Sequence, residues 1–115
     1  MTDGLFRALC VDGKIHIGRP ISGQSDILCV TDQNVQPQGV FLQIQEGHRP
    51  QRFAGIHAVD GTRIFEGDEV LVGKMRAVVG WDAEHAEFFL RYDGSLEEVI
   101  DDAQEGIFQI LSRHI

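Results

Sequence analysis

Turn signals recur along this chain too often for a long helix to fit between them. Asp-Gly pairs stand at Asp12-Gly13, Asp60-Gly61 and Asp93-Gly94, and Gly67 and Gly73-Lys74 add two further turn signals. An Asp-Gly pair tolerates the positive φ that a tight hairpin demands. Further glycines and all three prolines break up residues 18–50, and no long segment of the chain keeps apolar residues at helical spacing. The chain therefore reads as mostly β.

Residues 5–11 form the first expected strand, and residues 14–17 return from Asp12-Gly13 with Ile15 and Ile17 on one face. Residues 18–50 hold all three prolines and many polar residues, so loops are expected there around two short strands, 27–31 and 40–44. From Phe53 the pattern sharpens. Glu66-Gly67-Asp68 turns the chain into Val70 and Val72, and strands follow at 75–81 and 88–92. Residues 96–102 read as a strand followed by a short helical turn, and 107–111 as a closing strand. Several short strands in so few residues leave sheet edges exposed, and curling into a small barrel removes most of that liability. Residues 1–52 are thus read as an N-terminal β-hairpin and loop-rich lobe. Residues 53–115 are read as a C-terminal small barrel of the SH3-like type; one integrated domain is the alternative. The expected barrel core is Val70, Val72, Ala77, Val79, Trp81, Phe88, Leu90 and Ile110.

With 115 residues, 43% of them hydrophobic and 24% charged, the chain can bury a core of its own. Its apolar runs fall far short of the roughly 18 to 20 residues a membrane helix needs. The opening Met1-Thr2-Asp3-Gly4 lacks the pattern of a secretory signal, so a cytoplasmic location and no membrane partner are expected. Cys10 and Cys29 lie outside any C-x-x-C pattern and read as reduced, packed thiols. A formal charge of -8 counts against binding phosphate backbones. Direct nucleic-acid binding would need Arg49, Arg52, Arg63, Lys74 and Arg76 to gather on one side.

The run from Phe53 to Val70, which includes Ile64-Phe65-Glu66-Gly67-Asp68-Glu69-Val70, resembles the signature of the YopX family of phage and prophage proteins. In that signature a Thr-Gly-Leu-x-Asp-x-x-Gly run leads to Ile-Tyr/Phe-Glu-Gly-Asp-x-Val. Phe6-Arg7-Ala8 is similar to the family's opening Phe-Arg-Ala-Trp, and Val78-Val79-Gly80-Trp81-Asp82 to its strand after the signature. Leu9 replaces the usual tryptophan, Ala54 the usual threonine, His57-Ala58-Val59 a charged run, and no Gly-Asn follows the closing apolar pair. The resemblance implies a phage or prophage origin and carries no activity with it.

Glu66, Gly67 and Asp68 form the most specific motif, and its economical reading is a structural turn: Gly67 permits a φ that other residues resist, and Asp68 accepts backbone N–H groups. His16, His48, His57, His85 and His114 lack metal-ligand spacing, and neither cysteine sits in a nucleophile signature. No metal, cofactor or catalytic residue is therefore expected. Phe88 and Phe89 must face opposite sides of a strand, so one points away from the core. Phe89 and Tyr92, with the acids Asp82, Glu84, Glu87, Glu97, Glu98, Asp101 and Asp102, make the candidate interaction surface. The expected function is that of a non-catalytic accessory protein acting by self-assembly, as a homo-oligomer, and by binding a host protein. An acidic, nucleic-acid-mimicking inhibitor of a host defence or transcription protein is the alternative, and a weak nucleic-acid-binding barrel ranks below both.

Overall fold

The computed structural model describes residues 4–21, 23–30, 40–93 and 97–113. These form an antiparallel, mostly β structure of eleven strands with no α-helix among the described residues. Contacts divide the chain between Arg52 and Phe53 into two compact units.

The first unit contains β1 (Phe6–Leu9), β2 (Ile15–Ile21), β3 (Gln24–Val30) and β4 (Phe41–Gln43), in the spatial order β4-β3-β2-β1. Gln51 and Arg52, which open β5 (Gln51–His57), lie opposite Arg7 and Phe6. Asp12 sets the first hairpin: Oδ1 accepts the Lys14 N–H at 3.0 Å, and Oδ2 lies 2.8 Å from His16 Nε2. Ala8 stands opposite His16 and both are buried, whereas Ile15 is 47% exposed. Ile15 and Ile17 share a face, but it is the one turned from the small core of Ala8, Cys10, Leu28, Ile44 and Leu42. β2 also outruns the expected residues 14–17. Pro20 sits where the β2–β3 register shifts, a position that tolerates a residue without an N–H. Burial raises the Cys10 thiol pKa, and both cysteines are free. On the opposite face, buried Arg7 donates through Nε to Gln51 Oε1 at 2.8 Å. The middle of the expected 18–50 loop region, residues 31–39, lies outside the described residues.

In the second unit the rest of β5 pairs with β6 (Arg63–Phe65). A five-stranded sheet follows, built from β7 (Asp68–Val72), β8 (Met75–Asp82), β9 (Glu87–Tyr92), β10 (Glu97–Val99) and β11 (Gln109–Arg113), in the order β10-β9-β8-β7-β11. Its core holds Val70, Ala77, Val79 and Leu90, as expected, with Val72, Phe88 and Ile110 packed against it. Trp81 is half-buried, its ring centroid 4.6 Å from that of Phe88. Ala54, Ile56, Ala58, Ile64, Tyr92 and Phe108 join them without having been anticipated. A 3-10 turn at Asp102–Gln104, closed by an Asp101 and Gln104 capping box, stands before the last strand. The Asp93-Gly94 turn and Leu96 lie at least partly outside the described residues. The expected barrel closure is not formed. β10 and β11 end the sheet on opposite sides, β10 beside β9 and β11 beside β7, and no ladder joins the two among the described residues. Among the described residues no helix is long and apolar enough to cross a membrane.

The corner between β6 and β7 is tightly specified. Gly67 has φ 90°, and its N–H donates to Val79 O at 2.8 Å. The buried Asp68 carboxylate accepts the Phe65 N–H at 2.9 Å. A β-branched side chain at Gly67 would be held in a region that L residues resist, a strain on the order of 1 to 3 kcal/mol. Gly67→Val is therefore expected to lower the melting temperature by roughly 4 to 8 °C per kcal/mol lost. Asp68→Asn, which keeps an acceptor, should lower it less than Asp68→Ala, and thermal melts of the three variants check the order.

Candidate functional site

Along β8 and β9 the ladder stays in register from Ala77 opposite Tyr92 to Asp82 opposite Glu87. Directly opposed residues share a face. Trp81 and Phe88 therefore face inward together, and Gly80 and Phe89 face outward together. The absent side chain of Gly80 makes room for the Phe89 ring: a Cβ there would lie 2.3 Å from the ring carbon Cζ. The ring also faces Val99 across the β9–β10 ladder, and the Arg91 guanidinium lies 5.2 Å from its centroid. Arg91 in turn donates through Nε and Nη2 to Glu97 Oε2, at 3.1 Å each. Val78 and Val99, 40% and 53% exposed, extend this apolar strip.

Carboxylates rim it. Asp82, Glu87, Phe89, Glu97, Glu98 and Val99 line a shallow cleft of about 130 Å³. Five of the nine residues expected on an interaction surface thus meet in one place. Glu84 stands beside them in the β8–β9 loop, where Asp82 Oδ1 accepts its N–H at 3.0 Å and that of His85 at 3.3 Å. Asp101 caps the 3-10 turn and Asp102 is exposed in its first turn. Tyr92 takes a different place. It shares the inward face with Leu90 and is 6% exposed, so only its hydroxyl reaches out, donating to Glu98 Oε2 at 3.1 Å. Sequence reasoning missed Val78, Val99 and Gly80; once the register is known, alternation from Phe89 finds them.

The first unit holds a larger hollow, about 390 Å³, lined by Asp26 and residues 43–50. It has no Phe, Tyr or Trp, and it sets Asp26 and Glu46 against His48 and Arg49, so it lacks the single sign of charge that distinguishes the Phe89 cleft. Among the described residues no group of three His, Cys, Asp or Glu side chains could hold a metal. The basic residues are divided, with Arg49 and Arg52 in the first unit and Arg63, Lys74 and Arg76 in the second. Comparison with family models, with curated proteins and with solved structures gives no match.

Two measurements test the site. Removing Phe89 bares Gly80, and filling Gly80 displaces Phe89, so the two positions share one contact. In a double-mutant cycle, Gly80→Ala with Phe89→Ala should show a coupling of about 0.5 to 3 kcal/mol. Additive losses would mean that the ring does not rest on the glycine.

The second concerns the loop. His85 Nδ1 lies 2.8 Å from Asp82 Oδ2, a contact that raises the His85 pKa and lowers that of Asp82. The His85 contribution is complete below its ordinary value of 6.5 and is lost as pH rises through the raised one. The Asp82 contribution is complete above its ordinary 3.8 and is lost as pH falls through the lowered one. The tie is therefore fully formed between those two ordinary values. In an NMR titration of the His85 ring, Asp82→Asn should bring its pKa down toward the ordinary value.

Proposed function

We propose that this chain is a non-catalytic protein-interaction module, a phage or prophage accessory protein of the YopX type that assembles with itself and binds a host protein. The carrying observation is the outward Phe89. A large ring fixed on a glycine platform, continued by exposed Val78 and Val99 and rimmed by carboxylates, has the anatomy of a protein contact, with an apolar centre and a polar edge. The Val78 side, where exposed Arg76 and the single half-buried carboxylate of Glu69 opposite Val78 replace the crowded acids, serves self-assembly. The acidic side serves the host partner. An open SH3-like arrangement of the second unit belongs to the same reading, supported by its succession of tight hairpins and by the 3-10 turn before the last strand. The function is carried out in the cytoplasm of the bacterial host.

A second reading, acidic mimicry of nucleic acid, draws on the carboxylates of Asp82, Glu84, Glu87, Glu97, Glu98, Asp101 and Asp102 within one stretch of the second unit. It differs from the first in its salt dependence, because mimicry works through charge and weakens steeply as salt screens it.

Light scattering at micromolar concentration should give a mass above the monomer, and Phe89→Ser should move it toward the monomer. A strict wild-type monomer would remove self-assembly from the proposal. A pull-down from the host with the tagged protein should retain a partner that Phe89→Ser releases. If the affinity for that partner barely changes between low and high salt, mimicry is excluded.

A further inference from the structure

The two edges of the five-stranded sheet are not equally protected. β11 carries a bulge between Ile110 and Ser112 and ends in Arg113, both features that discourage another strand from pairing there. β10 has neither. All three of its residues are exposed, and its apolar residue, Val99, is 53% exposed. Ile100 donates its N–H to Phe88 O at 3.0 Å. Because bonds alternate along an antiparallel ladder, the N–H and C=O groups of Val99 and Glu97 are directed away from β9, toward the open edge. Among the described residues no hydrogen bond occupies those groups.

From this edge we infer that the partner in the reading above is a basic, extended segment that adds to the sheet as a strand beside β10. This rests on the Phe89 face being the interaction surface. Main-chain bonds to Glu97 and Val99 supply the docking, as in other cases of strand addition, and the side chains supply the selection. An added antiparallel strand would place its residues in turn opposite Val99, Glu98 and Glu97. Cross-strand pairs favour like apolar groups and opposite charges, so the complementary order is one apolar residue followed by two basic ones. The apolar residue would extend the strip of Phe89 and Val99 and the basic residue opposite Glu97 would meet the cleft carboxylates on that same face, while the basic residue between them would stand opposite Glu98 on the other face. A second copy of the chain is a poor occupant. Two antiparallel β10 strands pairing Glu97 with Val99 would set Glu98 directly against its own copy, and like charges directly opposite are destabilising.

The test is fluorescence anisotropy with a labelled synthetic peptide about six residues long that carries valine followed by two lysines. Two controls accompany it: the same peptide with glutamate for lysine, and the same peptide N-methylated at alternate amides so that it cannot form a ladder. The parent peptide should bind at least about tenfold more tightly than either control. Val99→Pro, which removes an edge-facing N–H that β9 does not use, should abolish the difference while leaving the melting temperature unchanged. Should that variant fold poorly, the N-methylated peptide carries the test without altering the protein. Equal binding of parent and N-methylated peptides overturns strand addition, as does absence of binding. If Phe89→Ser still changes assembly and host pull-down in that case, the Phe89 surface stands and only the inference falls. If it changes neither, the surface falls as well.

Discussion

Everything distinctive in the second unit hangs on the register of β8 against β9. Six successive pairs, from Ala77 with Tyr92 to Asp82 with Glu87, fix which side chains meet and which way they point. A slip of β9 by one residue would turn Phe88 and Leu90 outward and drive Phe89 into the core, since a strand alternates its faces at every step. The hydrophobic pattern guards against that slip. Ala77, Val79 and Leu90 are buried on the inward side, while the outward side carries Val78, Gly80, Phe89 and charged residues. The same register that builds the core therefore builds the surface.

On that surface, charge and apolarity are arranged with one another. Arg91 is the only strong base in the acidic stretch up to Glu105, and it is engaged twice, with Glu97 and over the Phe89 ring. Of the other cleft carboxylates, Asp82 is tied to His85 and Glu98 accepts the Tyr92 hydroxyl, and neither meets a lysine or arginine within that stretch. Packed close, they repel one another and favour a cationic visitor. Local turn chemistry fixes two of them: Asp82 is tied into its loop by the N–H groups of Glu84 and His85, and Asp101 caps the 3-10 turn. Their side chains are held in place by the backbone, which lowers the entropic cost of meeting a partner.

The first unit is organised around smaller groups. Its core of Ala8, Cys10, Leu28, Leu42 and Ile44 is modest, and buried polar contacts accompany it. Asp12 bridges its own turn and His16, and Arg7 reaches Gln51 across more than forty residues of sequence. Neither cysteine is bonded to the other, so cohesion there comes from packing and hydrogen bonds.

The sequence by itself determined the mostly β class, the hairpin turns and much of the second core, because these depend on neighbours. Asp-Gly pairs, alternation and the Glu66-Gly67-Asp68 corner act over a few residues and can be read where they stand. It also showed that Phe88 and Phe89 must part company, and it gathered the acids. The sequence reading puts Phe88 inside and Phe89 outside, and the tertiary structure supplies what holds them so, the pairing of β9 with β8 and the empty position at Gly80. Tertiary structure likewise drew Tyr92 into the core and brought Val99 beside Phe89. Sheet order, too, lay beyond the sequence. The expected closure into a barrel rested on the general cost of free edges, but whether β10 and β11 meet depends on where β11 finds its hydrogen bonds. It finds them along β7, tens of residues away, and a contact over that distance leaves no mark in local pattern.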